Sequence, residues 1–156
     1  MRPNTSVVAM IVEHPVVVVH TLAHAVSALR AAARADRPVI LASAKDAGIY
    51  AGPGWFRALV EAAREAVPAD RCSALLDCGD EPGAALAAIR APVEGVIFTG
   101  RADVARRLGD IAAQHGVRFV AERPIAALDL GDDFFAPAAA VEQRCADALR
   151  QACDRG

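Results

Sequence analysis

The stretch Ser73-Ala74-Leu75-Leu76-Asp77-Cys78-Gly79-Asp80-Glu81-Pro82 decides the fold of this chain. Its opening run, Ser73–Leu76, shows no polar alternation, as expected of a strand covered on both faces. Polar and turn-forming residues follow at once. Pro82 then suits an early helical position, where its missing N–H leaves no bond unmade. The next β-branched run, Val93–Phe98, comes one helix length further on. Strand, helix and strand in that order make a right-handed crossover between parallel neighbours.

The same alternation extends in both directions. Pro15–Val19 and Pro38–Leu41 precede the central unit, and Val117–Val120 follows it. Helical spacing fills the gaps: Leu22, Val26, Leu29 and Ala33 share one face, and Phe56, Leu59, Val60 and Ala63 another. Val104, Leu108, Ile111 and Ala112 mark a third helix, and Val141, Cys145, Leu149 and Ala152 the last. Thr21 is placed to cap the first helix, and Gly116 to end the one before Val117. The expected fold is one α/β domain over residues 1–156. Its sheet is five-stranded, mainly parallel and open, built of repeated βα units with helices on both faces. Such a sheet is partial-TIM-barrel-like or flavodoxin-like, since a closed eight-stranded barrel takes about 250 residues. Val7–Val12 reads as a lead-in helix or edge strand, and Asp129–Asp133 as an acidic loop.

Composition narrows the function. The chain has 156 residues, is 54% hydrophobic and only 4% aromatic, and carries a net charge of −2. No Lys/Arg stripe interrupts it and Lys45 is its only lysine, which argues against a nucleic-acid surface. The longest apolar runs fall well short of the roughly 20 residues that span a bilayer. Met1–Ser6 lacks the order of a cleavable signal. The four cysteines form no CxxC pair. A cytoplasmic protein with reduced thiols, and no membrane partner, is the expectation.

Parallel α/β sheets bind ligands beyond the carboxyl ends of their strands. The residues there are His20 and Thr21; Ser43, Lys45 and Asp46; Asp77, Cys78 and Asp80; Thr99, Gly100 and Arg101; Glu122 and Arg123. Carboxylates, a thiol, an imidazole and cations together suit acid–base chemistry or an anion. Asp77 is either a partly desolvated base or the cap of the helix beginning near Asp80. Cys78 is a nucleophile, a metal ligand or a small buried hydrophobe. Lys45 is either a Schiff-base amine or a solvated cation. His20 and His24 have the spacing of one helical face, without the glutamate of an HExxH site. Gly95, Gly100 and Arg101 are similar to phosphate-binding turns, with Thr99-Gly100-Arg101 as their short contiguous part.

Several consecutive segments carry a family resemblance. They are Val19-His20-Thr21-Leu22, Tyr50-Ala51-Gly52, Leu76-Asp77-Cys78-Gly79, Ala87-Ala88-Ile89-Arg90-Ala91-Pro92 and Phe119-Val120-Ala121-Glu122. In order and spacing, the stretch from His20 to Glu122 resembles the first half or more of the class II fructose/tagatose-bisphosphate aldolases. The resemblance implies that Asp77 matches the family's acid–base aspartate, and that Cys78 stands where the family has a zinc-binding histidine. The family's other zinc ligands and main phosphate loops lie on later strands, beyond the matching stretch. A catalytic zinc needs about three protein ligands, so no metal and no other cofactor is expected, zinc through Cys78 being the only route.

The functional expectation is an aldolase-like small-molecule-binding or regulatory module without metal-dependent aldolase activity. The alternative is an enzyme of altered lyase or aldolase chemistry, with Asp77 as general base and Cys78 or Lys45 as nucleophile. His20, Ser43, Asp80, Thr99, Gly100, Arg101 and Glu122 are the expected ligand-binding set. The partner is a small anionic or carbonyl metabolite. Open sheet edges further imply a homo-oligomer.

Overall fold

The computed structural model describes residues 14–68 and 71–155. The Val7–Val12 segment lies outside them. Strand β1 (Val16–Val19) leads to helix α1 (Leu22–Ala35), and β2 (Val39–Ser43) to a short α2 (Ala47–Tyr50) and α3 (Pro53–Ala66). Then come β3 (Cys72–Asp77), α4 (Pro82–Arg90), β4 (Gly95–Ile97), α5 (Ala102–Gln114) and β5 (Arg118–Val120). A two-residue β6 (Leu128–Asp129), a 3-10 turn (Leu130–Asp133) and α6 (Ala138–Asp154) complete the order.

Local chemistry accounts for the boundaries. The Thr21 side chain accepts the His24 N–H at the start of α1. Pro53 and Pro82 occupy the first helical positions of α3 and α4. Gly116 follows α5 with a φ of 68°, a left-handed value that glycine adopts without a Cβ clash.

All pairings are parallel, and the strand order is β5-β4-β3-β2-β1-β6. The sheet therefore has six strands where five were expected. The sixth forms inside the acidic segment, where Leu128 pairs with Val17 and Asp129 with Val18. The run from β1 to β5 is strictly sequential within an open sheet. From β1 to β5 the order never reverses direction as a flavodoxin-like one would, and β6 alone departs from it, lying beyond β1 at the other edge.

The expectation of helices on both faces is also corrected. Right-handed crossovers that always step the same way place every helix on one side of the sheet. The core divides accordingly. Val17, Val19, Val39, Leu41, Ala74, Leu76 and Val96 pack with residues of all the longer helices. Their strand neighbours Val16, Val18, Ile40, Ala42, Leu75 and Ile97 form a second cluster on the inner face. That cluster contains no helical residue and is joined by Val120 and Ala126.

The link from β5 to β6 runs along this inner face. Arg123 lies at the carboxyl end, Ala126 packs in the inner cluster, and the Ala127 N–H donates to Val16 at the other end. Gly95 on β4 faces the same interior, where a Cβ would come within 2.5 Å of Leu75. Among the described residues, no helix is long and apolar enough to cross a membrane.

Candidate functional site

With every strand pointing the same way, the residues at and just after the strand ends collect on one rim. Period-two alternation then decides which of them turn inward. On β3 the inward positions include Leu75 and Asp77, while Ala74, Leu76 and Cys78 turn toward the helices.

Asp77 is 1% exposed and fully engaged. Its Oδ1 accepts the Asp46 N–H at 3.1 Å and the Gly79 N–H at 2.8 Å. Its Oδ2 accepts from Arg123 Nη1. Arg123 also donates from Nη2 to the Ser43 carbonyl at 3.3 Å. The Ser43 hydroxyl accepts the Asp77 N–H at 2.9 Å and donates to the Ala44 carbonyl at 3.0 Å. The loops after β2 and β3 are thus latched together around one carboxylate. Asp46 adopts a φ of 64°, unusual for a residue with a Cβ, to aim its N–H at Asp77. Gly79 has a φ of 55°, and a Cβ there would lie 2.2 Å from Asp46 Oδ1.

A second polar centre stands at the ends of β1 and β6. His20 Nε2 lies 2.7 Å from Asp129 Oδ1, which also accepts the Gly131 N–H at 2.9 Å. Partial burial would raise the Asp129 carboxyl. The bonds from His20 and Gly131, with the Arg123 charge, outweigh it and hold the group below its ordinary range. Behind this pair, His24 is 2% exposed. Its Nδ1 accepts the His20 backbone N–H at 3.1 Å, and its Nε2 lies 3.3 Å from the Asp133 carbonyl. An acceptor on one nitrogen and a carbonyl partner on the other assign the neutral Nε2–H tautomer. Burial lowers the His24 pKa, and only part of that is offset by the Asp133 carbonyl. Phe134 packs its ring near both imidazoles, with centroids 6.5 Å from His20 and 5.8 Å from His24.

The expected site residues divide sharply. Ser43 and Asp77 meet on the rim, and His20 stands at the end of β1 against Asp129. Cys78, the neighbour of Asp77, is 0% exposed on the helix side, with burial pushing its thiol up to about 12. A Cβ on Gly48 would lie 2.6 Å from its Sγ, so the thiol is closely packed. Lys45, Asp80, Thr99 and Glu122 are exposed. Arg101 is exposed and pairs with Asp103 at 3.0 Å. Gly100 is required by packing, since a Cβ there would come within 2.4 Å of the Phe98 ring.

Two residues of the site were not assigned from sequence. In the sequence Arg123 is one rim residue among many, and Asp129 falls in an acidic loop segment. The available signal for Arg123 was its place just beyond a strand end, on the same rim as Asp77.

The residues do not fit the zinc of the aldolases that the sequence resembles. Cys78 points away from the rim, and both His24 ring nitrogens are committed to backbone groups. Among the described residues, no three His, Cys, Asp or Glu side chains converge as a metal-holding group.

No protein-family model matches the chain, and no curated protein matches it. Its fold does match solved structures. One is a provisionally assigned fructose-1,6-bisphosphate aldolase from Coccidioides immitis, with a TM-score of 0.59 at 16% identity. The match covers 74% of this chain but only 44% of that one, so this chain spans less than half the length of that aldolase. The likeness is one of fold alone.

Proposed function

We propose that the chain is a small-molecule-binding or regulatory module on an aldolase-like scaffold, taking a small anionic or carbonyl metabolite on the rim. The carrying observation is the Asp77–Arg123 pair, whose side chains are 1% and 28% exposed. A carboxylate held by two amide N–H groups and a guanidinium is committed to anchoring loops. A guanidinium has five N–H donors, and Arg123 spends one on Asp77 and one on Ser43. The remainder favours an anionic group in the planar, bidentate manner of arginine. On this reading metal-dependent aldol cleavage is absent, because Cys78 cannot replace a zinc ligand from the helix side.

Titration with inorganic phosphate and with dihydroxyacetone phosphate, followed by calorimetry, tests the proposal. Saturable binding that is lost in Arg123→Ala supports it. Turnover of fructose 1,6-bisphosphate with stoichiometric zinc, both abolished in Cys78→Ala, would overturn it.

One observation favours a second reading, an enzyme of altered lyase or aldolase chemistry with Asp77 as base. The residue after Lys45 binds Asp77 directly, through the Asp46 N–H. This brings the lysine's loop to the carboxylate. Borohydride trapping with small carbonyl compounds would label Lys45 on this reading and leave it unmodified on the first. Association of copies belongs to the same proposal. Strands β5 and β6 are edges of three and two residues. A monomeric mass by sedimentation at micromolar concentration would count against it.

A further inference from the structure

Two features of the rim lie side by side, and the binding proposal uses only one of them. Arg123 reaches the Ser43 carbonyl, and Ser43 pairs in register with Val19, the residue before His20. Adjacent strands lie about 4.8 Å apart. The guanidinium and the His20 imidazole therefore stand at the ends of neighbouring strands, within the span of one small ligand.

The imidazole is unusually well fixed for a partly open side chain. Asp129 accepts at Nε2, which places the ring hydrogen on that nitrogen and leaves the Nδ1 lone pair available. Gly131 covers the Nε2 edge so closely that a Cβ would approach Nε2 within 3.2 Å. The backbone of His20 is held by buried His24. Among the described residues no group hydrogen-bonds His20 Nδ1, and the side chain is 21% exposed. An acceptor thus oriented by a carboxylate, beside a cation with unused donors, matches a ligand of one kind. Such a ligand has an anionic group for the guanidinium and, one or two carbons away, a hydroxyl to donate to Nδ1. Phe134, against the same imidazole, offers its carbon skeleton an apolar wall.

Resting on the anion-binding reading, we infer that the ligand is a short hydroxylated anion, a hydroxy acid or hydroxyalkyl phosphate, and that His20 selects its hydroxyl. An anion lacking the hydroxyl leaves Nδ1 without a partner once water is displaced, and binds more weakly for that reason. Asp129 acts through His20, as a positioning residue.

The experiment compares anions that differ by one hydroxyl: lactate against propionate, and 2-hydroxypropyl phosphate against propyl phosphate, each titrated by NMR. The intact protein is expected to prefer the hydroxylated member by about fivefold, the value of one net hydrogen bond. The pair bound more tightly identifies carboxylate or phosphate as the anionic group. In His20→Ala the preference disappears while both members still bind. His20→Gln, which keeps an acceptor, retains part of it. Arg123→Ala weakens both members alike. Equal affinity for the two members in the intact protein would overturn the His20 inference and leave the anion reading standing. Failure to bind any of the four would overturn both, and neither result depends on a variant folding.

Discussion

Asp77 and Asp129 are the same residue type at the carboxyl end of the same sheet, yet they occupy opposite circumstances. The Asp77 side chain is 1% exposed, and both its oxygens are held by the chain itself. That of Asp129 is 57% exposed and orients one imidazole and one glycine N–H. The first ties loops together, and the second leaves its partner histidine facing solvent. Saturation of the acceptors, more than position on the rim, separates a carboxylate that builds the site from one that serves it.

Removing the buried member tests this contrast most severely. Asp77→Ala strands the Arg123 charge and two backbone N–H groups, and is expected to destabilise the fold by about 3 kcal/mol in urea denaturation. A loss under 1 kcal/mol would place Asp77 in the same class as Asp129. Gly79→Ala attacks the latch from the other side. Its φ of 55° and the 2.2 Å approach to Asp46 Oδ1 predict a cost of about 2 kcal/mol.

The support behind His20 gives a pH test. The folded pKa of His24 lies below its ordinary value of 6.5, so between the two values the unfolded chain binds more protons. Stability is therefore full above pH 6.5 and falls as the pH drops toward the folded value, below which this contribution stops changing. Thermal melts should show the trend in the intact protein and a flatter profile in His24→Gln. The smallest effect belongs to the open carboxylate. Asp129→Asn should change stability by less than about 1 kcal/mol, because an exposed pair is screened by water. A loss matching that of Asp77→Ala would erase the distinction between the two.

The strands of the central array are legible because apolar runs such as Val16–Val19 and Ala74–Leu76 are unbroken enough to show their pattern. Strand β6 is not, since Leu128–Asp129 is too short to carry any periodicity. Strands buried on both faces read alike whether helices or the sheet's own interior cover the second face. That ambiguity is why helices were expected on both sides. In the site, Asp77 and Ser43 announced themselves as polar residues ending apolar runs. The opposite orientation of Cys78 was available from the period of two. The His20–Asp129 pair was not, because its members lie 109 residues apart and meet only through the β1–β6 pairing.

The link that carries Arg123 also carries Ala126, three positions on, into the inner cluster. A ligand that draws the guanidinium outward therefore tugs on a segment seated in the hollow of the sheet. On the proposed binding reading, occupancy of the rim would be tied mechanically to packing at depth. Extra residues inserted between Arg123 and Ala126 would slacken that tether, letting the arginine respond while the interior stays still.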